Sequence, residues 1–161
     1  MTDLCASRRH LLKQSASLGI ALVAVQARPV FAQKMESGEL KTLAQMIDPI
    51  TRGAKLLMQD VTLTAPILAD NGSLVPMGVL VQSPMTTQDH VTHVYLLSQR
   101  NPVTRMAVFH MGPWNGRAEI NTRVRLAGTQ VVVALARLSS GEFRYAQLDI
   151  IVTESACVDA S

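Results

Sequence analysis

From residue 61 onward, short apolar segments are separated by turn residues roughly every eight to twelve positions, the spacing of an antiparallel β-fold. Arg117 to Leu126 is the clearest segment: Ala118, Ile120, Thr122, Val124 and Leu126 alternate with Arg117, Glu119, Asn121, Arg123 and Arg125. Period two of this kind predicts a strand with one buried and one solvated face. Thr129 to Leu138 is apolar on both faces, as a central strand is. Val61 to Ala69 is broken by Pro66, which lacks an N–H and belongs at an edge or bend. Leu74 to Gln82, Val91 to Ser98, Val103 to Met111 and Phe143 to Thr153 supply the remaining strands.

The punctuation between them is specific. Asp70-Asn71-Gly72-Ser73 predicts a tight turn, because Asn-Gly accepts positive φ. Ser83-Pro84-Met85, Asn101-Pro102, Gly112-Pro113-Trp114-Asn115-Gly116, Gly128 and Ser139-Ser140-Gly141 mark the others. About seven strands so arranged predict an all-β fold, an antiparallel β-sandwich of immunoglobulin-like architecture. The Cys–Trp–Cys signature of antibody domains is not in the sequence.

Ahead of the strands, Leu40, Leu43, Ala44 and Ile47 recur at helical spacing, predicting a short amphipathic helix within Lys34 to Ile47. Glu36 or Ser37 is placed to cap it, and Asp48-Pro49 to stop it, since a residue before proline avoids the helical region. Residues 50–60 show no usable period and read as a connector.

The first residues have a different character. Arg8-Arg9, then Leu11-Leu12-Lys13, an apolar run from Ser15 to Val25 and the small-residue site ending at Ala32 make an export signal. The apolar run is well short of the roughly 20 residues a membrane-spanning helix requires. Paired arginines followed by x-Leu-Leu-Lys fit the twin-arginine pattern, which implies a bacterial, periplasmic protein exported folded. Cleavage after Ala32 removes four of the 15 basic residues (Arg8, Arg9, Lys13, Arg28) and one of the 12 acidic ones (Asp3). The formal charge of +3 then falls to zero, and no argument for nucleic acid or an anionic membrane survives.

Cleavage also takes Cys5, leaving Cys157 as the single cysteine in an oxidising compartment. An odd cysteine there points to an intermolecular bond or a reactive thiol. Cys157 sits near the C-terminus, beyond the last strand, in a stretch of small and polar residues. Catalysis by such a thiol needs a nearby base and an oxyanion hole, which a short tail does not supply. His90 and His93 fall on opposite faces of a strand; His93 and His110 are placed to approach across neighbouring strands, but further metal ligands are missing. The expectation is therefore no metal site and no cofactor. Trp114 at a turn tip reads either as a cap over the end of the sandwich or as an interface anchor.

Several short motifs then resemble, in order, the SoxY family, the cysteine-bearing subunit of the SoxYZ carrier of bacterial sulfur oxidation. They are Leu63-Thr-Ala-Pro-Ile-Leu-Ala-Asp-Asn-Gly72 with Val75-Pro76, Ser83-Pro84-Met85-Thr86, Gln99-Arg-Asn-Pro102, Ala107-Val-Phe109, and Thr122-Arg-Val-Arg-Leu-Ala127 with Thr129-Gln130. The likeness spans about residues 35 to 157. It implies a non-catalytic periplasmic carrier in thiosulfate oxidation, paired with a SoxZ-like subunit and acted on by separate sulfur-oxidising enzymes. Cys157 occupies the position at which the family holds sulfur intermediates covalently. The domain reading is a signal at 1–32, a helical segment at 33–60, the sandwich at 61–153 and a cysteine-bearing arm at 154–161.

The arm departs from the family's Gly-Gly-Cys-Gly-Gly. Here it reads Ser155-Ala156-Cys157-Val158-Asp159, with no arm glycine. From Glu154 the thiol still reaches about 10 Å beyond the strand, but Val158 is stiff and Asp159 opposes an anionic cargo. Three readings stay open: a carrier, a SoxY-like binding or assembly subunit that has lost carrier function, and a chain linked through Cys157 by an intermolecular disulfide.

Overall fold

The structure is a computed structural model and describes residues 40–155. The expected export signal and Cys157 lie outside the described residues.

The helix α1 spans Leu43–Thr51, later than the sequence pattern places it. Its start is set by Thr42, whose hydroxyl accepts from the Gln45 amide at 3.3 Å while Gln45 Oε1 accepts from the Thr42 amide at 2.7 Å. This reciprocal capping box satisfies two otherwise orphaned donors and excludes Leu40 from the helix. Pro49 lies inside the helix rather than ending it. The carbonyl that loses its donor belongs to Gln45, which is solvent-exposed, so the lost bond leaves no buried polar group. The true apolar stripe is Leu43, Met46, Ile47 and Ile50, which runs on past the proline. Arg52, in the left-handed region at φ 50, closes the helix with its N–H on the Asp48 carbonyl.

Among the described residues nine strands follow: β1 (Leu56–Leu57), β2 (Val61–Thr64), β3 (Leu68–Asn71), β4 (Val75–Val81), β5 (Val91–Ser98), β6 (Arg105–His110), β7 (Ala118–Val124), β8 (Gln130–Leu138) and β9 (Phe143–Glu154). One sheet runs β1-β9-β8-β5-β6 with β3 also on β9; the other runs β2-β4-β7. The expected immunoglobulin-like sandwich is thus present, preceded by one short helix. The connector at residues 50–60 supplies β1, and the segment interrupted by Pro66 becomes two strands in different sheets. The β1–β9 and β3–β9 pairings are parallel, whereas the other pairings are antiparallel.

The Asn71-Gly72 turn exists, but neither residue has positive φ and β3 does not pair with β4. Asn71 Oδ1 accepts from the Ser73 amide at 2.7 Å, and the chain crosses from one sheet to the other instead of folding back as a hairpin.

β8 shows why an apolar run belongs at the centre. Val132, Ala134, Ala136 and Leu138 face the core between the sheets, with Val75, Val79, Val94, Leu96 and Ile150. Val133 and Leu135 face the other way, where α1 covers them together with Leu97 and Phe143. Two hydrophobic layers share one strand. No helix among the described residues is long and apolar enough to cross a membrane.

Candidate functional site at the root of the C-terminal arm

β9 ends at Glu154, and the cysteine follows three residues later. β3 secures one side of this strand end: Ile151 donates to the Ile67 carbonyl at 2.8 Å, the Thr153 hydroxyl to Asp70 at 2.7 Å, and the Gly72 amide to Glu154 at 2.8 Å. On the other side the Thr129 hydroxyl accepts from the Val152 amide at 3.0 Å. Ser155 donates its hydroxyl to the Ala127 carbonyl at 2.7 Å. Each bond takes a main-chain group that would otherwise be unpaired near a strand terminus.

Behind Ala127 lies a buried polar network. Asn101 (9% exposed) accepts from the Ala127 amide at 2.9 Å and from Gln130 Nε2 at 3.1 Å, and donates to the Arg125 carbonyl at 2.8 Å. Gln130 (4% exposed) accepts from the Arg100 amide at 2.9 Å and from the fully buried Ser98 hydroxyl, which itself accepts from the Asn101 amide at 2.9 Å. Satisfied networks of this kind hold one geometry, because any partner lost leaves a buried polar group unpaired. Gly128, at φ +140, brings the backbone against the Arg100 guanidinium, where an added Cβ would sit 3.1 Å from Nη1.

Three of the five motifs quoted above, from separate parts of the sequence, therefore converge on the arm's root. Asp70 and Gly72, Asn101, Ala127, and Thr129 with Gln130 all bond to it or to one another. Ser98 and Gln130 were not read as functional from sequence, although both are polar residues at the ends of apolar runs.

The histidines separate. His90 lies outside β5, with Nδ1 3.0 Å from the Thr86 carbonyl. His93 and His110 are register partners on β5 and β6, with ring centroids 4.6 Å apart in an edge-to-face contact. Burial, then the charges of His110 and Arg137, hold His93 below the ordinary imidazole range. Among the described residues, no three His, Cys, Asp or Glu side chains come together as a metal site. Trp114 is 83% exposed, so it does not cap the sandwich; its ring lies back over Gly112.

The fold defines an immunoglobulin-like sandwich whose last strand is held on both sides as far as Ser155. The sulfur oxidation protein SoxY family matches residues 50–157, and the chain belongs to that family. The match takes in Cys157 and begins within α1, so it is shorter than the span of the sequence resemblance. Among solved structures, the sulfur carrier protein SoxY from Chlorobium limicola f thiosulfatophilum is 23% identical, with a TM-score of 0.56, covering 66% of this chain and 92% of that one. A superoxide reductase (neelaredoxin) variant from Ignicoccus hospitalis is 14% identical, with a TM-score of 0.53 over 59% and 81% of the two chains. A putative superoxide reductase from Thermotoga maritima is 18% identical, with a TM-score of 0.51 over 65% and 90%. At these identities the structural likenesses speak to the fold. A search of curated proteins gave no match.

Proposed function

We propose that this chain is a sulfur carrier whose Cys157 thiolate holds thiosulfate-derived groups through an S–S bond. The observation that carries the reading is the family match running through residue 157, two residues beyond the hydrogen-bonded root at Ser155. Loading joins the cysteine sulfur to the outer sulfur of thiosulfate. The thiol proton leaves to solvent, and two electrons pass to an electron-accepting partner enzyme. The product keeps a terminal sulfonate on the arm while separate enzymes act on it. A SoxZ-like subunit completes the carrier, and the twin-arginine pattern supports a periplasmic location. The root supports this role because it fixes Ser155, two residues before Cys157.

A second reading, a binding or assembly subunit without carrier function, is favoured by the absence of arm glycines in Ser155-Ala156-Cys157-Val158-Asp159. Cys157→Ala separates the two. In a reconstituted system the carrier reading expects sulfur-compound oxidation to stop while pull-down of the SoxZ-like subunit persists. Unchanged oxidation with intact pull-down favours the assembly reading. A dimer on non-reducing gels that disappears on reduction would identify an intermolecular disulfide.

A further inference from the structure

The arginines of this protein fall into two populations. Arg117 and Arg144 pair with Glu119 at 3.1 Å and Asp60 at 2.9 Å. Arg105, Arg123 and Arg125 have no ion pair among the described residues, yet all three line one cleft of about 430 Å³. The cleft lies where β6, the outer strand of one sheet, meets β7, the outer strand of the other. Its remaining walls include Asn101 and Thr122, and among the described residues no carboxylate lines it. Arg105 also lines a second cleft of about 440 Å³, with Arg52 and Arg137, again without a carboxylate among the described residues.

Charged side chains on outer strands deter edge-to-edge pairing, and dispersed charges of either sign do that. Convergence of one sign on one cavity is a different arrangement. Like charges gathered without a counter-charge raise the local potential and favour an anion. Guanidinium groups present paired N–H donors that match the oxygens of a sulfonate or sulfate.

We infer that the Arg105–Arg123–Arg125 cleft binds a sulfur oxyanion group. The cleft is linked to Ser155 at the arm's root: Asn101 forms part of its wall and accepts from Ala127, whose carbonyl receives Ser155. The anionic group has two sources, free sulfate or thiosulfate in solution, and a sulfonate carried on Cys157. The second source rests on the carrier reading; the first does not.

The test follows the backbone amide and arginine Nε resonances of the full chain during titration with sulfate and with thiosulfate. In parallel, in a Cys5→Ser chain, Cys157 is labelled with sulfonatoethyl methanethiosulfonate, which forms a disulfide carrying a sulfonate and releases methanesulfinate. Methyl methanethiosulfonate gives the neutral control. Saturable shifts at Arg105, Arg123 and Arg125 with the free anions assign a site for anions from solution. Shifts there only with the sulfonate-bearing adduct assign a site for arm-borne groups.

The double variant Arg105→Gln/Arg123→Gln weakens free-anion binding by at least about tenfold, or abolishes the adduct's shifts. Arg52→Gln, outside this cleft, leaves both unchanged. Both sets of substitutions are at exposed positions, and unchanged amide dispersion elsewhere confirms folding. Absence of saturable shifts in both arms overturns the proposal, as does retention of the shifts in the double variant. Failure of the adduct arm alone leaves the free-anion site standing and counts only against delivery by the arm.

Discussion

The Ser155 hydroxyl donates to the carbonyl of Ala127 across 2.7 Å, two residues before Cys157. Through Ala127 this bond connects Ser155 to the buried network of Asn101, Gln130 and Ser98. The bond fixes the last described residue of the chain, at the point where it continues toward Cys157.

Asn101→Ala removes an acceptor from Ala127 and Gln130 and a donor from the Arg125 carbonyl, in a site too buried for water to replace all three. We expect a loss of about 3 kcal/mol in unfolding free energy. Urea denaturation measures it as a lower midpoint with the slope unchanged. A loss below about 0.5 kcal/mol would show that the network does not hold the root.

Thr129→Val keeps the shape of the side chain and deletes the oxygen that accepts from the Val152 amide at 3.0 Å. The expected cost is about 1 kcal/mol. Hydrogen exchange resolves its location: the Val152 amide exchanges faster, whereas amides in the middle of β8 change only by the global loss of stability.

His93 supplies a pH dependence with a definite sign. Its folded pKa lies below the ordinary value of about 6.5, because burial and the neighbouring His110 and Arg137 oppose its charged form. The unfolded chain therefore binds this proton more readily. His93 makes no demand on stability above about pH 6.5, and its penalty grows as pH falls through that value until the folded pKa is passed. In His93→Gln, thermal midpoints fall less steeply with acidification than in the parent. Parallel curves would contradict the assignment.

Pro49 offers a test of how α1 is built. Pro49→Ala restores the missing N–H beneath the exposed Gln45 carbonyl and removes the ring from the helix interior. Stability is expected to rise by about 1 kcal/mol or more, read as a higher thermal midpoint. A fall would mean that the proline's restriction of the unfolded chain outweighs its cost in the helix.

The strands were legible because their burial is written in period two and in the punctuation between them. Ala118 to Val124 and the two-sided Val131 to Leu138 run needed no tertiary information. The helix was placed too early because Leu40 and Ala44 fit a helical period as well as Met46 and Ile50 do, and Pro49 counted as a stop. Only the capping box at Thr42 and the exposure of Gln45 decide the matter. The expected Asn71-Gly72 turn is present, but a dipeptide that permits positive φ does not require it, and β3 pairs with β9 at the far end of the chain.

At the site, the cysteine could be singled out by counting, and the family motifs could be named. Their convergence could not be read, because Asn101, Ala127 and Gln130 meet Ser155 only through pairings between distant strands. Nor could the arginine cleft. Alternation from Arg117 to Leu126 marks Arg123 and Arg125 as solvated, and only the tertiary fold places Arg105 on the same cleft.

The central claim is that Cys157 carries sulfur covalently. Its most direct test is the intact mass of the reduced protein after incubation with thiosulfate, its SoxZ-like partner and the electron-accepting enzyme. The account predicts a mass increase matching a bound thiosulfate group, located at Cys157 by fragmentation and reversed by a thiol reductant. An unmodified mass, while a glycine-armed SoxY carrier is loaded under the same conditions, would contradict it.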